Sequence, residues 1–190
     1  MHSESIAQFW QWFAANRRPL VADSDPPPEL LPQIGARIRT IHPGLSWELE
    51  LDGSPRKFIV SAQGDVELFP LVREVVDRAP GFTDISIIAF RQPNPGDVAI
   101  EIGGQRISAY SLWFSTRLTA AGLELTLAVP GIGGEDSEML AQAAMVLVDN
   151  ALGEYFPAMG VAKFCLVPMP PTPETEGLRP YCQIHELIAG

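Results

Sequence analysis

Cys182 and His185 stand three residues apart in the C-terminal stretch YCQIHELIAG. A thiol beside an imidazole is the minimal equipment of a cysteine nucleophile, because the ring can take the thiol proton. The same C-x-x-H spacing is half of a structural zinc set, which needs four ligands. Cys165 is the other cysteine, and His2 and His42 are the other histidines, all far away in the chain. No third group that would orient the imidazole is identifiable. Cys182 and His185 are therefore candidate catalytic residues without a complete constellation, no metal-ligand set is assigned, and no cofactor is called for.

A second candidate is the pair Arg91-Gln92, which directly follows the apolar run Ile85 to Phe90 and precedes Pro93. A guanidinium at a strand end can bind an anion bidentately. Its structural alternative is an ion pair with one of the many acids of this chain. Glu48, Glu50 and Asp52 alternate with Trp47, Leu49 and Leu51, which puts three carboxylates on one face of a strand. Nothing nearby indicates the burial that would raise a carboxyl pKa for acid–base work, so a solvated face is the reading. Gly131-Ile132-Gly133-Gly134 has the look of a phosphate loop but fails its tests. Asp136 stands where a dinucleotide fingerprint needs its third glycine, no Lys-Ser/Thr pair follows, and Glu135 with Asp136 would repel phosphate.

These residues must be held by regular elements, and the periodicities supply them. Ile6, Phe9, Trp10 and Phe13 recur at helical spacing, and Ser5 with Gln8 has capping-box spacing, so a helix ends near Arg17 with Trp12 off its apolar face. The proline-rich connector ADSDPPP leads into a second helix marked by Leu31, Ile34, Ile38 and Ile41 and stopped at His42-Pro43-Gly44. Leu45 to Leu51 and Phe58 to Ala62 form a hairpin about Asp52-Gly53. Gln63-Gly64-Asp65 opens a helix with Leu68, Leu71, Val72, Val75, Val76 and Ala79 buried and Glu74 set to pair with Arg78. The run Ile85 to Phe90 reads as a central strand covered on both faces.

Val98, Ile100 and Ile102 alternate before a turn at Gly103-Gly104, and Ile107 to Leu118 reads as one long strand followed by a hairpin partner, Leu123 to Val129. A helix over about residues 137–153 is apolar nearly all round, which predicts either a sandwiched position between sheet and N-terminal helices or an oligomer interface. LTLAVPG at 125–131 resembles FIVSAQG at 58–64, and each precedes a helix and a buried strand, IIAFRQP and CLVPMPP. The pattern is compatible with a degenerate duplication of a hairpin–helix–strand unit. Residues 168–180 form a long loop rich in proline, threonine and glutamate.

Length and charge bound the rest. A chain of 190 residues fits one domain, with N-terminal helices over 1–44, a first unit over 45–93, a second over 97–171 and a tail over 172–190. The net charge is −10, which repels phosphate backbones and argues against nucleic acid. Between Arg117 and Lys163 there is no basic residue, so this region presents a negative surface. Two cysteines are too few for a disulfide framework. The N-terminus MHSESIAQFWQWFAANRR lacks the basic segment of a signal peptide, and no apolar run is long enough to span a bilayer. The expectation is a cytoplasmic chain without membrane contact, monomeric or homodimeric.

FWQWF near the start, FIVSAQG in the middle and IIAFRQP at a strand end together resemble a family of bacterial soluble proteins, a domain of unknown function. The resemblance covers the first half better than the second and brings no activity or site residue with it. It implies that Trp10, Arg91 and Gln92 belong to a shared scaffold. The fold expected is α+β, a mainly antiparallel sheet of about six to seven strands with helices chiefly on one face. The function expected is a non-enzymatic binding or protein-interaction domain with a protein or small-molecule partner. The alternative is an enzyme, either a Cys-dependent hydrolase or a small-anion site at Arg91 and Gln92.

Overall fold

The computed structural model describes residues 2–22, 24–94, 96, 98–102 and 104–188. The chain divides into two compact units, Met1–Arg91 and Gln92–Gly190. Both are α+β, and among the described residues the strands form sheets of three, two and four strands.

In the first unit the aromatic stripe at helical spacing forms α1 (Ser3–Asn16), with Ile6, Phe9, Trp10 and Phe13 buried. The helix starts ahead of the expected cap, at His2, and Gln8 bonds Glu4 on the same helix rather than closing a capping box. A short helix α2 (Arg18–Val21) precedes the proline connector, and α3 (Leu30–Ile41) follows it. The hairpin is β1 (Ser46–Glu50) and β2 (Arg56–Ser61), paired antiparallel. A 3-10 turn over Val66–Leu68 feeds α4 (Phe69–Asp77), and β3 (Ile85–Ala89) returns parallel to β2.

Phe58 is the centre of this unit's core. Its ring lies 4.8 Å from that of Phe13, 6.2 Å from Phe9 and 6.3 Å from Trp10, and it stacks on Trp47 at 5.6 Å and 16°. The aromatics of α1 are thus core, as large rings contribute most when buried against one another. The Trp10 indole N–H donates to the carbonyl of Val75 on α4 at 2.8 Å, which satisfies a polar atom that burial would otherwise leave unpaired. Trp12, off the apolar face, carries the Arg37 guanidinium 4.6 Å over its ring. Arg78 sits 3.0 Å from Glu74, the expected helical ion pair.

The second unit opens with a small hairpin, β4 (Ala99–Ile102) and β5 (Gln105–Ser108); Gly103 of the expected turn lies outside the described residues. β6 (Trp113–Thr119) pairs antiparallel with β7 (Gly122–Val129). The helices α5 (Ser137–Leu152) and α6 (Tyr155–Gly160) then lead to β8 (Val161–Pro168), which runs parallel to β7. A two-residue strand, β9 (Arg179–Pro180), adds antiparallel to the free side of β6, giving the order β8-β7-β6-β9. Leu112, Phe114, Leu125 and Leu127 join Leu140, Leu147 and Val148 of α5 in this unit's own core.

Several expectations are corrected. Among the described residues there is no single sheet of six to seven strands but three smaller ones, and although most strand pairings are antiparallel, a helical crossover returns β3 parallel to β2 and β8 parallel to β7, which makes two of the sheets mixed. The strand Ile85–Ala89 stands at the edge of its sheet and β2 is central. Its apolar run resembles a doubly covered strand, yet most of its residues are only half-buried. The long run 107–118 is broken by a 3-10 turn over Ala109–Ser111, where Ser108 accepts from the Tyr110 N–H. The loop 168–180 contains a 3-10 turn, Pro173–Glu176, and then β9. α5 buries one face, and Val146 is exposed on the other.

The hairpin–helix–parallel strand order is nonetheless present in both units. Gly64 and Gly131, which follow the second strand of each hairpin, share φ of 83°. That left-handed backbone suits glycine, which carries no Cβ to clash.

Candidate functional site

The C-terminal candidates come together only in part. Tyr181–Ile188 form a 3-10 helix that carries both Cys182 and His185. His185 Nδ1–H donates to the backbone carbonyl of Cys182 at 2.8 Å, so the ring addresses the peptide and not the thiol. Cys182 is exposed and both cysteines are free. Nucleophile activation needs sulfur and imidazole in contact with a third group orienting the ring. Among the described residues that arrangement is absent, and no group of three potential metal ligands occurs. The residues buried at this end are Ile184 and Tyr181, whose hydroxyl donates to the Leu147 carbonyl. Burial first, and the charge of Asp149 second, push the Tyr181 phenol above the ordinary range.

Arg91 ends the first unit and Gln92 begins the second. The Arg91 guanidinium lies 3.2 Å from the Glu48 carboxylate on β1, which is the structural alternative foreseen for it. Gln92 is exposed. The glycine loop after β7 keeps its amides for itself: Gly133 N–H donates to Ser137 Oγ at 2.7 Å, and that hydroxyl donates to the Gly134 carbonyl at 2.8 Å. In the acidic stretch, Arg117 grips Glu124 with two nitrogens at 3.0 and 2.6 Å. That hydrogen bond from Arg117 is the main reason the Glu124 carboxyl sits below its ordinary range.

Among the described residues a site-like feature lies in the first unit, along β1. A groove of ≈ 610 Å³ is lined by Pro26, Leu31, Trp47, Leu49 and Leu51, with Asp25 and Glu48 as its charged members. The proline connector forms one wall, since prolines hold an extended backbone away from the strand and donate nothing to it. Trp47 forms the floor beside Gly35 of α3, where an added Cβ would meet the indole Nε1 at 3.2 Å.

The strand edge facing outward can be assigned from one hydrogen bond. A residue in a strand turns its N–H and C=O to the same side, and successive residues alternate sides. Phe90 N–H donates to the Val60 carbonyl at 2.8 Å, so Val60 turns its polar groups toward β3. Trp47 stands opposite Val60 and Leu49 opposite Phe58. Trp47 and Leu49 therefore point their N–H and C=O groups away from β2, over the open edge. β1 has β2 as its one neighbour in the sheet, and those outward groups meet no backbone partner among the described residues. The residues whose side chains line the groove are the same ones whose backbone is unpaired.

The rim is acidic. Glu48 pairs with Arg91 and Glu50 with Lys57 at 2.7 Å, while Asp25 and Asp52 have no ion-pair partner among the described residues. The alternation of Glu48, Glu50 and Asp52 thus acquires a reason. Charges along an exposed edge discourage indiscriminate strand pairing.

Sequence reasoning had Trp47, Leu49 and Leu51 as an ordinary dry face. It missed that the cover over that face is incomplete. The available signal was the proline connector, whose residues cannot pack as a helix would. No family model matches the chain, and no curated protein or solved structure matches it.

Proposed function

We propose that the chain is a non-enzymatic binding domain of the bacterial cytoplasm whose contact surface is the groove along β1. The observation that carries this reading is the coincidence of an apolar groove with an unpaired strand edge on Trp47 and Leu49. Apolar concavities with a few placed polar groups are where ligands bind. The two free thiols suit a reducing compartment, and among the described residues no helix is long and apolar enough to cross a membrane. The resemblance of FWQWF and IIAFRQP to a bacterial family supports the setting.

The enzyme reading draws less support. His185 engages a carbonyl in place of the Cys182 thiol, and Arg91 is engaged by Glu48. Selection of binders from a random peptide library displayed against the intact chain tests the proposal. Binders that lose affinity in a folded Leu49→Asp variant are expected. Binders that map elsewhere, or a Cys182 that iodoacetamide labels at pH 6 much faster than a model thiol, would overturn it.

A further inference from the structure

The second unit contains the same hairpin edge as the first, but occupied. Alignment of the units on Gly64 and Gly131 makes Val60 correspond to Leu127, and the strand registers then make Trp47 correspond to Phe114. Tyr181 N–H donates to the Leu112 carbonyl at 3.0 Å, so Leu112, and Phe114 two residues on, turn their polar groups outward. This is the phase of Trp47 and Leu49. On that outward edge of β6 lies β9, antiparallel, with Arg179 directly opposite Phe114. The Arg179 guanidinium sits 5.1 Å over the Phe114 ring and is held by Gln183 Oε1 at 3.1 Å and by the Glu186 carboxylate.

From this internal template we propose that β1 takes up an extended, arginine-bearing segment of another protein as an added antiparallel strand. The inference rests on the groove being the binding surface. The segment's arginine stands opposite Trp47, its guanidinium over the indole and facing Asp25, as Arg179 stands over Phe114 and faces Glu186. Each element of the match is present in the groove. Trp47 and Leu49 supply outward N–H and C=O groups for the main chain, Trp47 supplies the π-face, and Asp25 supplies a carboxylate without an ion-pair partner among the described residues. Charge also decides against a second copy of this chain. Two β1 strands edge to edge would bring their acidic rims together, with the Asp52 carboxylate of each lacking an ion-pair partner among the described residues, and like charges facing across a pair destabilise it.

The test uses the intact chain and a capped seven-residue peptide with arginine at its centre, threonine on either side of it and valine two residues away in both directions. Amide hydrogen exchange is followed by NMR. Saturating peptide is expected to slow exchange at Trp47 and Leu49 by roughly tenfold or more, as new backbone bonds close the edge. Two altered peptides, one with citrulline for arginine and one N-methylated at the arginine amide, are each expected to bind about tenfold more weakly, since each lacks one designed contact. Asp25→Lys, an exposed change in a connector, is expected to weaken binding similarly while leaving the fold intact by circular dichroism.

Equal affinity of the arginine and citrulline peptides overturns the inference. So does binding without protection of Trp47 and Leu49, or no binding of the arginine peptide at all. In either of the last two cases, library binders that still depend on Leu49 leave the groove standing as the contact surface. Library binders that map away from it overturn the proposed function itself.

Discussion

The two units of this chain build the same hairpin, helix and parallel strand, yet they finish the outer edge differently. In the second, Phe114 is fully buried beneath β9 and the stacked Arg179. In the first, the corresponding Trp47 is half-buried beside a groove. An edge strand is a liability that proteins pair, cover or charge. The second unit pairs its edge from within its own chain, while the first leaves its edge to a row of acids. The difference teaches that a hairpin edge of the same phase is closed from within the chain at β6 and left open at β1.

The largest effect expected from this contrast is at the corresponding aromatics. Phe114→Ala should destabilise the second unit by about 3–5 kcal/mol in denaturant unfolding, as for a fully buried phenylalanine. Trp47→Ala should cost about 1–2 kcal/mol, because a half-buried ring forfeits less area and leaves less cavity. Equal losses would break the comparison.

Tyr181, which follows β9 and anchors the segment, gives a pH signature. Its folded-state pKa is raised, so the unfolded chain releases the phenol proton first. The stabilisation is therefore complete below about pH 10, the unfolded value, and declines as pH rises above it. Tyr181→Phe should remove that alkaline decline and lower stability at neutral pH by about 1–2 kcal/mol through loss of the bond to the Leu147 carbonyl. Urea titrations at pH 7 and at pH 10 to 11 read both.

The paired turn glycines sharpen the comparison further. Gly131→Ala places a Cβ 2.9 Å from Leu140 Cδ1, whereas Gly64→Ala meets nothing within 4 Å. Both pay for a left-handed backbone, about 1 kcal/mol, and the Gly131 change should cost more by the steric clash. Thermal unfolding of the two variants ranks them.

The smallest effect is also the most direct. Arg179→Ala should cost about 1 kcal/mol, since its ion pair is partly exposed. It should nevertheless raise the exchange rate of the Phe114 amide toward that of Trp47. An unchanged rate would mean that β9 is held by Tyr181 without help from the arginine.

Much of the scaffold was legible because it is periodic. Phe9, Trp10 and Phe13 lie on the helix that their spacing demands, and Glu74 meets Arg78 one turn on. The likeness of FIVSAQG and LTLAVPG points to strands that occupy corresponding places in their hairpins, each followed by a glycine with φ of 83°. The sites were less legible. Arg91 reads as either an anion binder or an ion-pair partner until Glu48 is seen across the sheet, and Cys182 with His185 reads as an incomplete constellation until the imidazole is seen on a carbonyl. Spacing places such groups near one another without setting which atoms face.

By itself the sequence determined most of the elements, their apolar faces and the net negative charge, since all three follow from residue type and short-range period. The tertiary structure alone decided which strands are edges, that the strands among the described residues form three sheets, and that among those residues one hairpin edge is covered by a strand while the other is not. Those outcomes depend on pairings between residues far apart in the chain, such as Phe114 with Arg179. A window of local periodicity contains no term for a partner that distant, so the open edge of β1 becomes visible only when the whole sheet is assembled.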